Sequence, residues 1–256
     1  MNEFRDSKEP SSGWSWKWIV GLSVPVLVAG LLFLPSIQRA RTTGGAPQCR
    51  HHLKWIGLAI HNYDASYRSL PPGWTTGAEE QPLHSWQTLL LPYMDAGPVY
   101  NRIRLERPWD DAMNREPCTT WIAAFSHPAL ERAEVRGYPV SDYAGNAQVL
   151  PARRGLQFGE IRDGLSNTLF SGEVGAGAMP WARPQNVRDP ALGLGVSPVQ
   201  FGMKRPSGTR GAYFVLLDGA VRFLDEKTDP AVLKALASPA GGEDVSDVFS
   251  GGSTPK

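Results

Sequence analysis

The stretch Cys49-Arg50-His51-His52-Leu53-Lys54-Trp55-Ile56-Gly57-Leu58-Ala59-Ile60-His61-Asn62-Tyr63 decides how this chain is read. Leu53, Ile56, Ile60, Tyr63 and Tyr67 recur at spacings of three and four, which places them on one face of a helix running from about Pro47 to Leu70. Pro71-Pro72 stop it, because a proline nitrogen has no hydrogen to donate and its ring crowds the turn before it. A helix with a single apolar stripe must bury that stripe against another element.

Upstream, 21 residues from Trp18 to Gln38 carry no charge. As a helix they span about 31 Å, close to the roughly 30 Å of a hydrocarbon core. Trp14, Trp16 and Trp18 with Lys17 flank one end and Arg39 with Arg41 the other, as aromatic rings and basic heads do at the two faces of a bilayer. A cleaved signal peptide has a shorter apolar region and a small-residue cleavage site, whereas Ser36-Ile37-Gln38-Arg39-Ala40 follows here. The expectation is a retained single transmembrane helix over 18–38, a tail over 1–17, and a linker over 39–48 broken by Gly44, Gly45 and Pro47.

Downstream, apolar density from Ser85 to Ile103 is interrupted by Pro92 and Pro98 and reads as two short helical pieces. Gln157 to Ile161 and Thr168 to Phe170 read as strands. Ala212 to Leu224 reads as a hairpin about Asp218-Gly219, a pair suited to the two positive φ angles of a type I′ turn. A two-residue loop there puts Leu216 opposite Val221, Phe214 opposite Phe223 and Val215 opposite Arg222. A helix capped by Asp229, with Pro230 first and Val232, Leu233 and Leu236 inward, should follow. Gly, Ser and Asp content makes 244–256 a disordered tail.

The chemistry-bearing residues are sparse. Net charge is +1 without a basic stripe, which argues against nucleic acid as a partner. Cys49 and Cys118 fit no zinc or redox spacing; outside the cytoplasm they could form one disulfide, and two separate thiols explain the same count. His61 and Asp64 share a helix face, yet no nucleophile motif accompanies them. Adjacent His51 and His52 point to different sides of a helix and cannot form the i, i+4 pair of a zincin, and no His-Glu-x-x-His occurs. Asp110, Asp111 and Asn114 offer loop oxygens for Ca²⁺ without the spacing of an EF-hand. No metal site, cofactor site or catalytic set emerges, and the chain reads as a non-enzyme.

Several separated strings resemble one family. They are Cys49 to Tyr63 with its His61-Asn62-Tyr63; Leu70-Pro71-Pro72-Gly73; Ser85-Trp86-Gln87 through Pro92-Tyr93; Pro108-Trp109-Asp110; Asp163-Gly164-Leu165-Ser166-Asn167-Thr168; Glu173; and Asp218-Gly219 through Leu224. Together they are similar to the pilin-like bacterial family of domain of unknown function 1559, over about 49–243. The resemblance implies an α+β, loop-rich fold in which an amphipathic helix behind the transmembrane helix packs on an antiparallel β-sheet. It also implies a single-pass protein of the cytoplasmic membrane with tail 1–17 in the cytoplasm, the large domain extracytoplasmic, and protein partners in a secretion or pilus-like assembly. The basic residues, three before the apolar segment and four soon after it, lean towards the opposite orientation.

The chain departs from that family in places. Lys17-Trp18-Ile19-Val20-Gly21-Leu22 stands where prepilins carry a Gly-Phe-Thr-Leu-Ile-Glu type site, and no Glu lies within 18–38. The anchor therefore reads as a permanent tether. Ala124-Phe125-Ser126-His127-Pro128 replaces a common Cys-Pro-Ser-Asp-Pro, and Arg205 replaces a usual His. The alternative function is an extracytoplasmic glycan-binding module using aromatics such as Trp74, Trp121 and Trp181.

Overall fold

The computed structural model describes residues 47–205 and 207–243. The expected tail, transmembrane segment, most of the linker and the C-terminal tail lie outside these residues. Among the described residues no helix is long and apolar enough to cross a membrane. The described residues lie in one compact unit.

Helix α1 is described from 47 to 67. Leu53, Ile56 and Ile60 are fully buried and Tyr63 nearly so, as the periodicity requires, but Tyr67 is 59% exposed. The reason is the helix end. Arg68 turns left-handed at φ 58°, and the chain leaves before a further turn could cover Tyr67. Strands β1 (Trp74–Thr76) and β2 (Pro82–Ser85) form a small hairpin, followed by α2 (Trp86–Leu90), a 3-10 turn at Leu91–Tyr93 and α3 (Gly97–Tyr100). The two helical pieces expected from the proline spacing are present, with Ser85 capping the first through Thr88 N–H at 3.2 Å.

After α4 (Arg115–Cys118) come β3 (Glu134–Val135), β4 (Tyr138–Ser141), β5 (Tyr143–Asn146), β6 (Leu169–Glu173), β7 (Met179–Pro180), β8 (Val187–Arg188), β9 (Met203–Lys204), β10 (Arg210–Leu216) and β11 (Val221–Asp225). The main sheet has the order β11-β10-β6-β5-β8, with β9 also paired to β10; its pairs are antiparallel except β5 with β8. Strands β3, β4 and β7 form a separate three-stranded sheet. Gln157 to Ile161 is a 3-10 turn at Phe158–Glu160, not a strand: the Glu160 carboxylate folds back to accept Gln157 N–H at 2.8 Å.

The last hairpin also corrects the sequence reading. Val215 pairs with Val221, Phe214 with Arg222 and Tyr213 with Phe223, one residue off the expected register. Leu217 leaves the strand and joins Asp218 and Gly219 in a three-residue loop, with Gly219 N–H returned to Leu216 O at 3.0 Å and Gly219 at φ 83°. Such a loop needs one left-handed residue at its end, which Gly219 supplies. Both faces of β10 are thereby buried. Val215, with Tyr213 and Val221, packs in the cluster that contains the α1 stripe. Ala212, Phe214, Leu216 and Leu224 pack with Leu233 and Leu236 of α5 (Pro230–Ala237), capped by Asp229 through Ala231 N–H at 2.8 Å.

Gly57 sets how closely α1 approaches the hairpin. A Cβ there would lie 2.9 Å from Val215 Cγ2 and 3.2 Å from Gly219 Cα. Alanine gains about 1 kcal/mol of helix propensity and loses a similar amount to crowding, so Gly57→Ala should be near neutral. Gly57→Leu should cost about 3 kcal/mol. Urea unfolding of the two variants checks this; a leucine variant as stable as the parent would show that the helix does not sit against the turn.

Candidate functional site

Glu173 is the last residue of β6 and is fully buried. Its position follows from the ladder. Phe214 pairs with Gly172 and Gly211 with Met203, so the backbone N–H of Tyr213 falls between the end of β6 and the start of β9. Glu173 fills this gap with its side chain: Oε2 accepts Tyr213 N–H at 2.7 Å and a hydrogen bond from Arg205 Nη2. The other oxygen, Oε1, accepts the Cys49 thiol hydrogen from the first turn of α1. His127 Nε2 lies 3.2 Å from Oε1, within reach but off the line of a well-formed hydrogen bond. One carboxylate thus ties the helix, the loop after Phe125, and strands β6 and β10.

Its surroundings explain how a charge survives there. Burial is the largest influence and pushes the Glu173 pKa up, but His127, Arg205, Cys49 and the Tyr213 N–H outweigh it and hold it below the usual carboxylate range. The Arg205 guanidinium stands 4.5 Å from the Tyr213 ring centre and 5.0 Å from that of Phe223, which shields its pair with Glu173 from water. Removing one partner of such a buried pair costs about 3–5 kcal/mol.

Cys49, His127 and Glu173 present ligand atoms within 4.8 Å of one another, a donor set that a transition metal could use. Their hydrogens show the use made of it here. Ala129 N–H donates to His127 Nδ1 at 3.2 Å, so a neutral ring carries its proton on Nε2, the atom facing the carboxylate. Burial raises the Cys49 thiol far above its ordinary value, with the Glu173 charge adding to this. A metal ion would have to displace both protons and compete with Arg205 for the carboxylate. The Tyr143 hydroxyl lies beside the Cys49 sulfur without a well-formed hydrogen bond.

The cysteines are free: Cys118 is buried apart, its thiol pushed up to about 12 chiefly by burial. The other residues marked in the sequence sit elsewhere in the fold. His61 lies against Phe158 at 5.4 Å, Asn62 is exposed with its carbonyl accepting Ser66 Oγ, and Tyr63 stacks near Tyr67 and Tyr93. Pro72 follows α1, and Pro92 sits in the 3-10 turn. Trp86 is buried, donating Nε1–H to Asn186 O at 2.9 Å and meeting Phe170 edge-on. Trp109 meets Tyr138. The Asp163 carboxylate accepts Gly241 and Gly242 N–H, Gly164 turns at φ 89°, Asn167 donates to Asp163 O, and Asp218 accepts Ala220 N–H. These residues hold turns and core.

The calcium reading fails on geometry: Asn114 is buried, its amide donating to three carbonyls and its oxygen accepting Arg104 N–H, while Asp111 is turned to Met113 N–H and Arg107. Of the glycan-binding candidates, Trp181 is a core ring bonded to Thr120 O and Trp121 lies under Arg132. Sequence reasoning missed His127, Asp142 and Tyr143 as a group. The available signal was that His127 and Arg205, two departures from the family pattern, both reach Glu173.

Asp142 provides a test by pH. It accepts His127 N–H at 2.6 Å, yet burial, the largest effect, raises its carboxyl to about 6, with repulsion from Glu173 adding to it. The fold therefore favours protonated Asp142, so this term stabilises below the unfolded value near 4 and is lost as pH rises through about 6. At about 1.4 kcal/mol per pKa unit the loss is on the order of 2–3 kcal/mol. Asp142→Asn should gain on the parent by that amount between pH 4 and 7 in thermal unfolding; a constant difference across the range would contradict it.

No curated protein and no solved structure matches the chain. The family described as "Protein of unknown function (DUF1559)" matches residues 38–196, more than half of the 256. The chain belongs to that family.

Proposed function

We propose that this chain is a membrane-tethered, pilin-like protein that presents residues 49–243 on the outer face of the cytoplasmic membrane. It acts as a structural or accessory component beside a secretion or pilus-type assembly, and catalyses no reaction of its own. The observation that carries this reading is the succession of an uncharged segment over 18–38 and, nine residues on, helix α1 laid against a largely antiparallel sheet. The reactive side chains of the domain support it, since Cys49, His127 and Glu173 are turned onto one another in the core. The missing prepilin site and missing buried Glu favour a permanent tether over exchange into a filament.

Deleting the first 46 residues should yield a soluble, folded monomer, while the full chain should stay with membranes under alkaline extraction. A reporter fused after Lys256 should be active only outside the cytoplasm. Cytoplasmic activity of that reporter, or a full chain released by alkali, would overturn the reading.

A further inference from the structure

A second cluster of chemistry lies on the three-stranded sheet. Trp109, Asp110, Tyr138, Pro180, Arg136 and Arg183 line a cleft of about 350 Å³, within the range of small-ligand sites. Trp109 and Tyr138 meet edge to face at 4.7 Å. Trp109 is fixed from behind: its N–H donates to Leu83 O at 3.0 Å, and Asn114 Nδ2 donates to the carbonyl of Pro108 at 2.9 Å. Its indole N–H has no acceptor among the described residues.

The two arginines are exposed, and neither has an ion-pair or side-chain hydrogen-bond partner among the described residues. Arg136 is held at the tip of the β3–β4 turn in the left-handed region, φ 56°, followed by Gly137 at φ 80°. That pair of angles is the type I′ turn that glycine and asparagine usually supply, so an arginine is placed at a position its backbone disfavours. Arg183 comes from the turn after β7, its N–H bonded to Pro180 O. Opposite charge enters through Asp110 alone among the lining residues.

From this arrangement we propose that the cleft binds an acidic sugar residue, a uronic-acid unit of an extracellular polysaccharide. The ring's apolar C–H face stacks on the half-buried Trp109 indole, which Tyr138, itself buried, backs edge-on. Arg136 and Arg183 take the carboxylate, since planar guanidinium groups match its two oxygens. Asp110 accepts a ring hydroxyl. This site is separate from the Glu173 carboxylate; its sugar chemistry stands on the cleft alone, and only the extracellular source of the sugar rests on the proposed outward orientation.

The test uses the full chain in detergent micelles with trigalacturonate as probe, read by saturation-transfer NMR. Binding should be at least about tenfold tighter than for the neutral trimer maltotriose. Arg136→Gln and Arg183→Gln alter exposed side chains and should each weaken it by about tenfold, with unfolding curves unchanged. Trp109→Ala should abolish it. Equal affinity for maltotriose, undiminished binding in both arginine variants, or equal competition by acetate or sulfate would overturn the assignment, the last by showing an anion site only. Absence of trigalacturonate binding overturns it as well, leaving the tether reading untouched.

Discussion

The fold depends on keeping one carboxylate charged in its interior. Glu173 has no contact with solvent, and each oxygen is met by donors from distant parts of the chain: the thiol of Cys49, the guanidinium of Arg205 and the amide of Tyr213, with His127 alongside. Desolvating a carboxylate costs several kcal/mol unless such donors are already in place. Because α1, the loop after Phe125, β6 and β10 supply or hold these groups, all of them must be in register before the charge is satisfied. The donors of this carboxylate thus couple the position of the helix to the register of the sheet.

Around that point the sheet is covered on both sides. The α1 stripe covers one face with Val215 and Leu217, and α5 covers the other with Phe214 and Leu216. Buried Arg188 closes the long connection between β6 and β10 differently, donating to the carbonyls of Ala176, Gly177, Ser197 and Gln200 with no acidic partner among the described residues. Burial draws its pKa down to about 10, which still leaves it charged at neutral pH. Buried Glu173 and Arg188 thus hold distant backbone segments together, in a domain rich in glycine and proline.

How much of this was legible in the sequence follows from the range of the forces. Helix α1 and α5 were readable because apolar spacing and caps act within a few residues. The last hairpin was located but misregistered, because Asp218-Gly219 fits both a two-residue and a three-residue loop, and only the burial of Leu217 decides between them. The Gln157 to Ile161 segment reads as a strand in sequence because the side-chain contacts of Glu160 with Gln157 N–H and Arg154 that support its turn are not visible in apolar spacing. The carboxylate site was legible only as isolated parts. Cys49 and Glu173 are 124 residues apart, and nothing local in Ser126-His127-Pro128 announces a partner. Trp109 was marked as a motif residue, but its two arginines come from turns whose meeting is a tertiary fact.

The central claim, that an ionised Glu173 holds helix to sheet, is tested most directly by following its side-chain carboxyl ¹³C signal as pH is lowered, with Glu173→Gln identifying the resonance. The account predicts that Glu173 takes up its proton below the ordinary carboxylate range. Protonation of Glu173 within or above that range, with the fold intact, would contradict it.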